Sequence, residues 1–312
     1  MRYQPALACL QWHPANPHHI GDTPTMTSPT AIPFSINRIS APRIPFATFA
    51  AMAKRLGVGA IEIRNDLPEA EMVNGAKAAD IGAAARAQGL TIRSINALQR
   101  FEQFDAKRLE EAQAMVAYAV ACGAEALVLC PTNDLRDHRS ADQRHLDLVD
   151  ALTQLKPLLD QAGLVGLVEP LGFEECAVRR KSQAVRAIAQ IGGSKTFKLV
   201  HDTFHHHLAG EALFYPEHTG LIHISGVEDT ALTPAQMRDS HRVLVGANDR
   251  LGNAVQLNTL LSAGYTGYVS FEPFAEEIAA ATEADIAQQL ASSMAYLTQA
   301  VAAERQKEAQ AA

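Results

Sequence analysis

The chain has 312 residues, 47% of them hydrophobic, with a formal net charge of −7 and a pI near 5.9. This suffices for one large α/β domain, since barrels commonly run to about 250 residues, and the acidic balance opposes a chain built to grip nucleic acid. Cys9, Cys122, Cys130 and Cys176 form no CxxC pair, and no apolar run reaches a membrane span or a secretory core, so a cytoplasmic protein with free thiols is expected, engaging neither nucleic acid nor membrane.

Residues 1–30, rich in Pro, His and Thr and without either regular period, read as a flexible N-terminal extension, with Met26 as an alternative start. From there short apolar runs alternate with Ala-rich amphipathic segments. The runs, in order, are IPFSIN (32–37), AIEIR (60–64), TIRSIN (91–96), EALVLC (125–130), VGLVEP (165–170), FKLVHD (197–202), GLIHIS (220–225) and GYVSFEP (267–273). Several are near-continuous in Val, Ile and Leu, as parallel strands covered on both faces are. Between them FATFAAMAKRLGV, AADIGAAARAQGL, AKRLEEAQAMVAYAVACGA and QRHLDLVDALTQLKPLLDQAGL have the helical period and end near a Gly able to close a helix. Eight strand–helix units without a GxGxxG after the first strand predict an α/β fold, a single-domain (β/α)8 TIM barrel over residues 31–300, with residues 301–312 fraying as a C-terminal tail.

The active site of such a barrel stands at the carboxyl ends of its strands. There the sequence has Glu169 after the fifth strand, Asp202 ending the sixth, His223 in the seventh and Glu272 ending the eighth. A carboxylate or imidazole closing an apolar strand is costly to bury unless paired or bound to a cation. Three carboxylates and one imidazole from adjacent strands suit one divalent ion: Mn²⁺, Zn²⁺, Co²⁺ or Mg²⁺. The histidine-rich run HDTFHHHLAG (201–210) thereby contributes Asp202. His201 points to the opposite face of its strand, toward the helices, and His206 and His207 are expected to be solvated or packed. Other strand ends offer candidate substrate contacts: Asn37 and Arg38, Arg64 and Asn65, Asn96 and Gln99, and Asn133. The basic run Arg179–Lys181 reads either as a phosphate contact or as a solvated helix face.

The order Glu169, Asp202, His223, Glu272 resembles that of the xylose isomerase-like barrels, the sugar phosphate isomerase/epimerase and endonuclease IV superfamily. FSINRISAP, AIEIRNDL, SINALQRF and GLVEPLGFEEC are most similar to its inosose isomerase (2-keto-myo-inositol isomerase) branch. The resemblance implies that these four residues bind one divalent metal and that Glu169 and Glu272 also move the proton. It implies further that His205, in the DxxH spacing after Asp202, faces the substrate, and that Asp249 and Arg250 in HRVLVGANDRLGN approach the site. An α-hydroxy ketone can chelate such an ion, which as a Lewis acid stabilises the enediolate left when the intervening C–H is lost. A glutamate on each side of the substrate plane then accounts for isomerisation or epimerisation alike.

The expectation is therefore an isomerase or epimerase of a keto-polyol or sugar, inosose foremost, which places it in carbohydrate metabolism and inositol catabolism. A dehydratase on the same metal site is the alternative, and homo-oligomers are compatible with either. Where some sugar epimerases of the superfamily carry an arginine six residues after the metal histidine, this chain has Asp229, which weighs against a free-ketohexose epimerase. An endonuclease IV-like enzyme would need histidines at strands two and three, and none stands there. A non-catalytic sugar-binding barrel is not required by any residue.

Overall fold

Eight short parallel strands pair in chain order, and the last closes on the first: β1 Phe34–Asn37, β2 Ala60–Arg64, β3 Thr91–Gln99, β4 Ala126–Cys130, β5 Val165–Val168, β6 Phe197–Asp202, β7 Thr219–Ile224 and β8 Val269–Phe271. This computed structural model describes residues 31–68 and 70–311, so the expected N-terminal extension lies outside the described residues. The (β/α)8 barrel read from the sequence is the architecture observed. The helices of the outer layer are α1 Phe46–Arg55, α2 Ala78–Ala87, α3 Ala106–Cys122, α4 Ala141–Ala162, α5 Lys181–Gln190, α6 Thr203–Ala209, α7 Asn253–Ser262, the short α8 Glu276–Ala279 and α9 Glu283–Ala311. The last continues through the residues expected to fray, and its run of Ala, Glu, Gln and Lys explains why.

Local chemistry sets the boundaries. Asp105 and Ser140 accept backbone N–H bonds at the starts of α3 and α4, and Gly123 and Gly163 end those helices at φ 77° and 67°, in the left-handed region. Among the described residues no helix is long and apolar enough to cross a membrane, and Cys122, Cys130 and Cys176 are free.

Alternation along each strand divides the core into two shells. Ile61, Ile63, Leu127, Leu129, Ile222, Ile224, Val269 and Phe271 face outward into the main hydrophobic layer beneath the helices. Inside the barrel, β4 to β7 contribute apolar Ala126, Val128, Leu167, Val200 and Leu221. The opposite wall is polar and wholly buried: Ser35 and Asn37 on β1, Glu62 on β2, Ser94 and Asn96 on β3, and Ser270 on β8. Register aligns this polar set, with Asn37 beside Glu62, Glu62 beside Ser94, Ser35 beside Ser270 and Ser270 beside His223.

Candidate metal centre

The four strand-end residues named from the sequence converge. Glu169, Asp202, His223 and Glu272 each offer a ligand atom, all within 4.8 Å of one another, and all four side chains are buried. Each lies two residues beyond an inward-facing side chain of its own strand or continues that alternation, and register sets Asp202 directly beside His223.

What surrounds the quartet is as specific as the quartet itself. Glu272 accepts hydrogen bonds from Asn37 Nδ2 at 3.1 Å, Arg64 Nη1 at 2.9 Å and Arg242 Nη2 at 3.1 Å. Arg242 also donates to Asp202 Oδ2 at 2.6 Å, to Ser225 Oγ at 2.9 Å and to Asp239 Oδ1 at 3.1 Å. Its guanidinium lies between the rings of Phe204 and Phe274, 5.1 and 4.7 Å from their centroids. Arg64 turns its fork to Asp66, at 2.8 and 2.7 Å. Glu169 has fewer donors: the Cys130 thiol at 3.3 Å, and His223, whose Nδ1 lies 2.9 Å away.

These contacts set the proton affinities. Burial raises the Glu272 carboxyl, but His223, Arg242 and Arg64 together outweigh it and hold the group well below the usual carboxylate range. For His223 burial favours the neutral ring, yet the carboxylates of Glu272, Glu62 and Glu169 prevail and push it well above 6.5. Burial lifts the Cys130 thiol well above 9, with Glu169 and Glu272 adding to the shift, so it stays a neutral donor.

The donor set fits one divalent ion on charge as well as on ligand type. Four buried carboxylates, Glu62, Glu169, Asp202 and Glu272, stand against two buried guanidiniums, Arg64 and Arg242. The deficit is two positive charges, which a protonated His223 halves and one divalent cation with a neutral imidazole removes. Buried uncompensated charge costs several kcal/mol, and a divalent cation held by these four residues would offset it.

Above the quartet opens a cavity of about 450 Å³ lined by Arg64, Asn96, Gln99, Asn133, His205 and Phe274 among others, with Glu169, Glu272 and Arg242 in its wall. His205 is positioned by its backbone N–H, which bonds Asp202 Oδ1 at 3.0 Å, and by edge contacts to Phe173 and Phe204. Gly172 permits this: a Cβ there would stand 2.1 Å from the His205 carbonyl oxygen.

Other residues nominated from the sequence sit elsewhere. Asn37 lies beneath the cavity, bonded to Glu62 and Glu272. Arg38 is turned away, paired with Glu71 at 3.0 Å and stacked over Phe49. Asp249 caps the start of α7 through the Asn253 N–H at 3.0 Å, and Arg250 bonds the Asp229 carbonyl. None of Arg38, Asp249 and Arg250 lines the cavity, because each strand end or loop turns its side chain to a partner outside it. Two residues at the centre escaped the sequence reading. Glu62 could have been found as a charge two positions before Arg64 in an otherwise apolar strand; Arg242, in an irregular loop, carries no local signal.

Two further histidines of the run, His201 and His206, are packed away from the cavity. His201 faces the helices as alternation requires, with Nδ1 2.8 Å from Lys181 Nζ and Nε2 2.9 Å from Gln256 Oε1. His206 packs on His201 and Phe214, 4.7 and 4.6 Å between centroids. In the basic run, Arg179 bonds the Gly172 and Leu208 carbonyls and Glu174, while Lys181 is buried.

Known proteins share this framework. A xylose isomerase domain-containing protein from Salmonella typhimurium LT2 is 32% identical, with a TM-score of 0.80 over 87% of this chain and 99% of its own. The IolI protein, solved with a bound zinc atom, is 21% identical, with a TM-score of 0.75 over 86% and 98% of the two chains. D-psicose 3-epimerase from Clostridium cellulolyticum H10, solved with D-tagatose, is 13% identical, with a TM-score of 0.69 over 86% and 99%. No curated protein matches the sequence. The model of the xylose isomerase-like TIM barrel family matches residues 50–299, and the chain belongs to that family.

Proposed function

We propose that the protein is a divalent-metal-dependent isomerase or epimerase of an uncharged keto-polyol or sugar, with an inosose as the first substrate to test. The observation that carries this reading is the buried group Glu169, Asp202, His223 and Glu272 at the base of a polar cavity. A Mn²⁺, Zn²⁺, Co²⁺ or Mg²⁺ ion held by these four would supply Lewis acidity to a substrate carbonyl and its neighbouring hydroxyl. The proton is moved by the chain's own carboxylates. Glu169, bonded only to a thiol and to His223, is the freer of the two and removes the proton from the hydroxyl-bearing carbon beside the carbonyl; Glu272, fixed by Asn37, Arg64 and Arg242, takes up a proton from the substrate hydroxyl or from solvent and returns it to carbon.

His205, Asn96 and Gln99 line the cavity where substrate hydroxyls would lie. The cations there are committed: Arg64 to Asp66 and Glu272, Arg242 to Asp202, Glu272 and Asp239, Arg100 to Asp134. Both buried guanidiniums of the cavity are thus engaged by carboxylates and the half-exposed Arg100 is paired with Asp134, which favours a neutral substrate. Likeness in fold to the IolI protein, solved with zinc, and to D-psicose 3-epimerase, solved with D-tagatose, supports this reading. The decisive experiment is incubation with inosose and Mn²⁺ in D₂O. Isomerisation gives a product with deuterium on carbon and no loss of water; a product lighter by one water would indicate dehydration instead, and absence of both exchange and product with every keto-polyol would overturn the reading.

A further inference from the structure

Glu62 is fully buried, in the middle of β2, and four side-chain donors are aimed at its carboxylate. Oε1 accepts from Asn37 Nδ2 at 3.3 Å and from Ser270 Oγ. Oε2 accepts from Asn96 Nδ2 at 2.8 Å and from Ser94 Oγ. Both oxygens also lie 3.2 Å from Nε2 of His223. The opposite nitrogen of the same ring, Nδ1, is 2.9 Å from Glu169 Oε1 and 3.1 Å from Glu272 Oε2. The imidazole thus spans two different environments. One edge faces a carboxylate with no other task, and the other faces the candidate ligand group.

We infer that Glu62 is the positioning residue of the metal centre: it takes the Nε2–H of His223, fixes the ring's tautomer and rotation, and leaves Nδ1 as the atom that binds the ion. The inference rests on the reading of Glu169, Asp202, His223 and Glu272 as a metal site. Its physical basis is the acceptor-only character of an ionised carboxylate. A group already receiving four other hydrogen bonds meets an imidazole nitrogen productively only if that nitrogen carries the hydrogen. A neutral imidazole has one N–H, so the lone pair is then on Nδ1. Carboxylate partners of metal-bound histidines commonly act in this way, and their loss costs about 10–100-fold in metal affinity.

The placement also explains an otherwise wasteful feature of the barrel. Ser35, Asn37, Ser94, Asn96 and Ser270 fill positions that β4 to β7 give to Ala, Val and Leu. Four of the five donate to Glu62. One buried carboxylate needs such a shell, because unpaired it would be costly to bury. Most of the polar wall therefore serves to hold one acceptor in place against His223.

The test uses the full-length protein, stripped and reloaded with Zn²⁺. Calorimetric titration of the unaltered protein first establishes whether the ion binds; a null result there counts against the metal site itself. With binding established, long-range ¹H–¹⁵N correlation of histidine-labelled protein, with His223→Gln for assignment, should show a proton on Nε2 and none on Nδ1. Glu62→Gln, which keeps shape and one acceptor, should weaken Zn²⁺ binding about 10–100-fold and change the visible absorption of the Co²⁺-loaded protein. A proton on Nδ1 in the zinc form, or a folded Glu62→Gln protein with unchanged affinity and spectrum, would overturn the inference. The tautomer measurement needs no variant, so a misfolded substitution leaves it decisive.

Discussion

At the scale of single residues the centre separates groups that react from groups that hold. Glu272 does both, bonded to two guanidiniums and one amide while turning toward the quartet. Glu272→Gln is nearly isosteric and removes the proton-transfer group. Turnover of any active keto-polyol should fall about 10²- to 10⁴-fold, the usual span for a general acid or base, with metal still bound; steady-state kinetics with parallel metal analysis checks this, and unchanged turnover would refute the proton role. Arg242 holds. Replacing it by Met keeps apolar contact with Phe204 and Phe274 but leaves Asp202 without its cation and Glu272 with Arg64 alone. Breaking one side of a buried pair costs about 3–5 kcal/mol. Urea unfolding of metal-free Arg242→Met should show a loss of that order, and saturating Zn²⁺ should recover a larger share in the variant than in the unaltered protein, since the ion restores positive charge at the same carboxylates.

At the scale of elements, the barrel and its ligand ends were legible because both follow from periodicity. A run such as FKLVHD alternates Phe197 and Leu199 toward the helices with Val200 and Asp202 toward the barrel axis, so strand, facing and ligand are read together. The polar wall was not legible, because Ser94 or Ser270 becomes informative only when register sets it beside Glu62 or His223. Arg242 was hidden for a different reason: it reaches the centre from a loop between β7 and α7, whose path is set by contacts rather than by a period. Lys181 shows the same limit at a helix start. Read as part of a basic run, it is instead buried at the first position of α5, stacked on Phe214, with Nζ 2.8 Å from His201. Burial, only partly offset by Glu211, lowers its pKa from 10.5 to about 7. Because the folded state prefers the neutral amine, the unfolded chain binds more protons between about pH 7 and 10.5, and stability rises with pH across that window. Each unit is worth about 1.4 kcal/mol, against about 1 kcal/mol for leaving His201 Nδ1 without its donor. Lys181→Met should therefore be the more stable protein at pH 6, with its advantage shrinking toward pH 10. Thermal melts of both proteins across that range measure it, and an advantage that grows with pH would contradict the assignment.

At the scale of the whole molecule, folding, protons and metal meet in one charge balance. The strand ends and the loop that carries Arg242 bring four buried carboxylates and two buried guanidiniums together at the base of the cavity, and in the metal-free protein the ring of His223 supplies one further positive charge. Its pKa is raised by folding, so this contribution is fully present below the unfolded value near 6.5 and is lost as pH rises through the folded value. An ion at the site reverses the dependence, for it needs the unprotonated ring and displaces the proton on binding. Calorimetry in buffers of different ionisation enthalpy at pH 7 should accordingly show about one proton released per ion bound. The same linkage reaches global stability. Ligand that binds only the folded state adds RT ln(1 + [L]/Kd), about 2.7 kcal/mol at one hundred times Kd, and for a chain of this size that corresponds to a rise in Tm of a few degrees. At fixed total Zn²⁺, the rise over a chelator-treated control should widen from pH 6 to pH 8, because the proton competes less for His223 while the metal-free protein loses its imidazolium. Lys181 titrates in both forms and cancels in the difference. His223→Gln removes the competition and the ligand together, so its melting temperature should respond weakly to Zn²⁺ and without that pH trend; a metal-induced rise that narrows with pH in the unaltered protein would mean that the ion does not bind where His223, Glu169 and Glu272 converge.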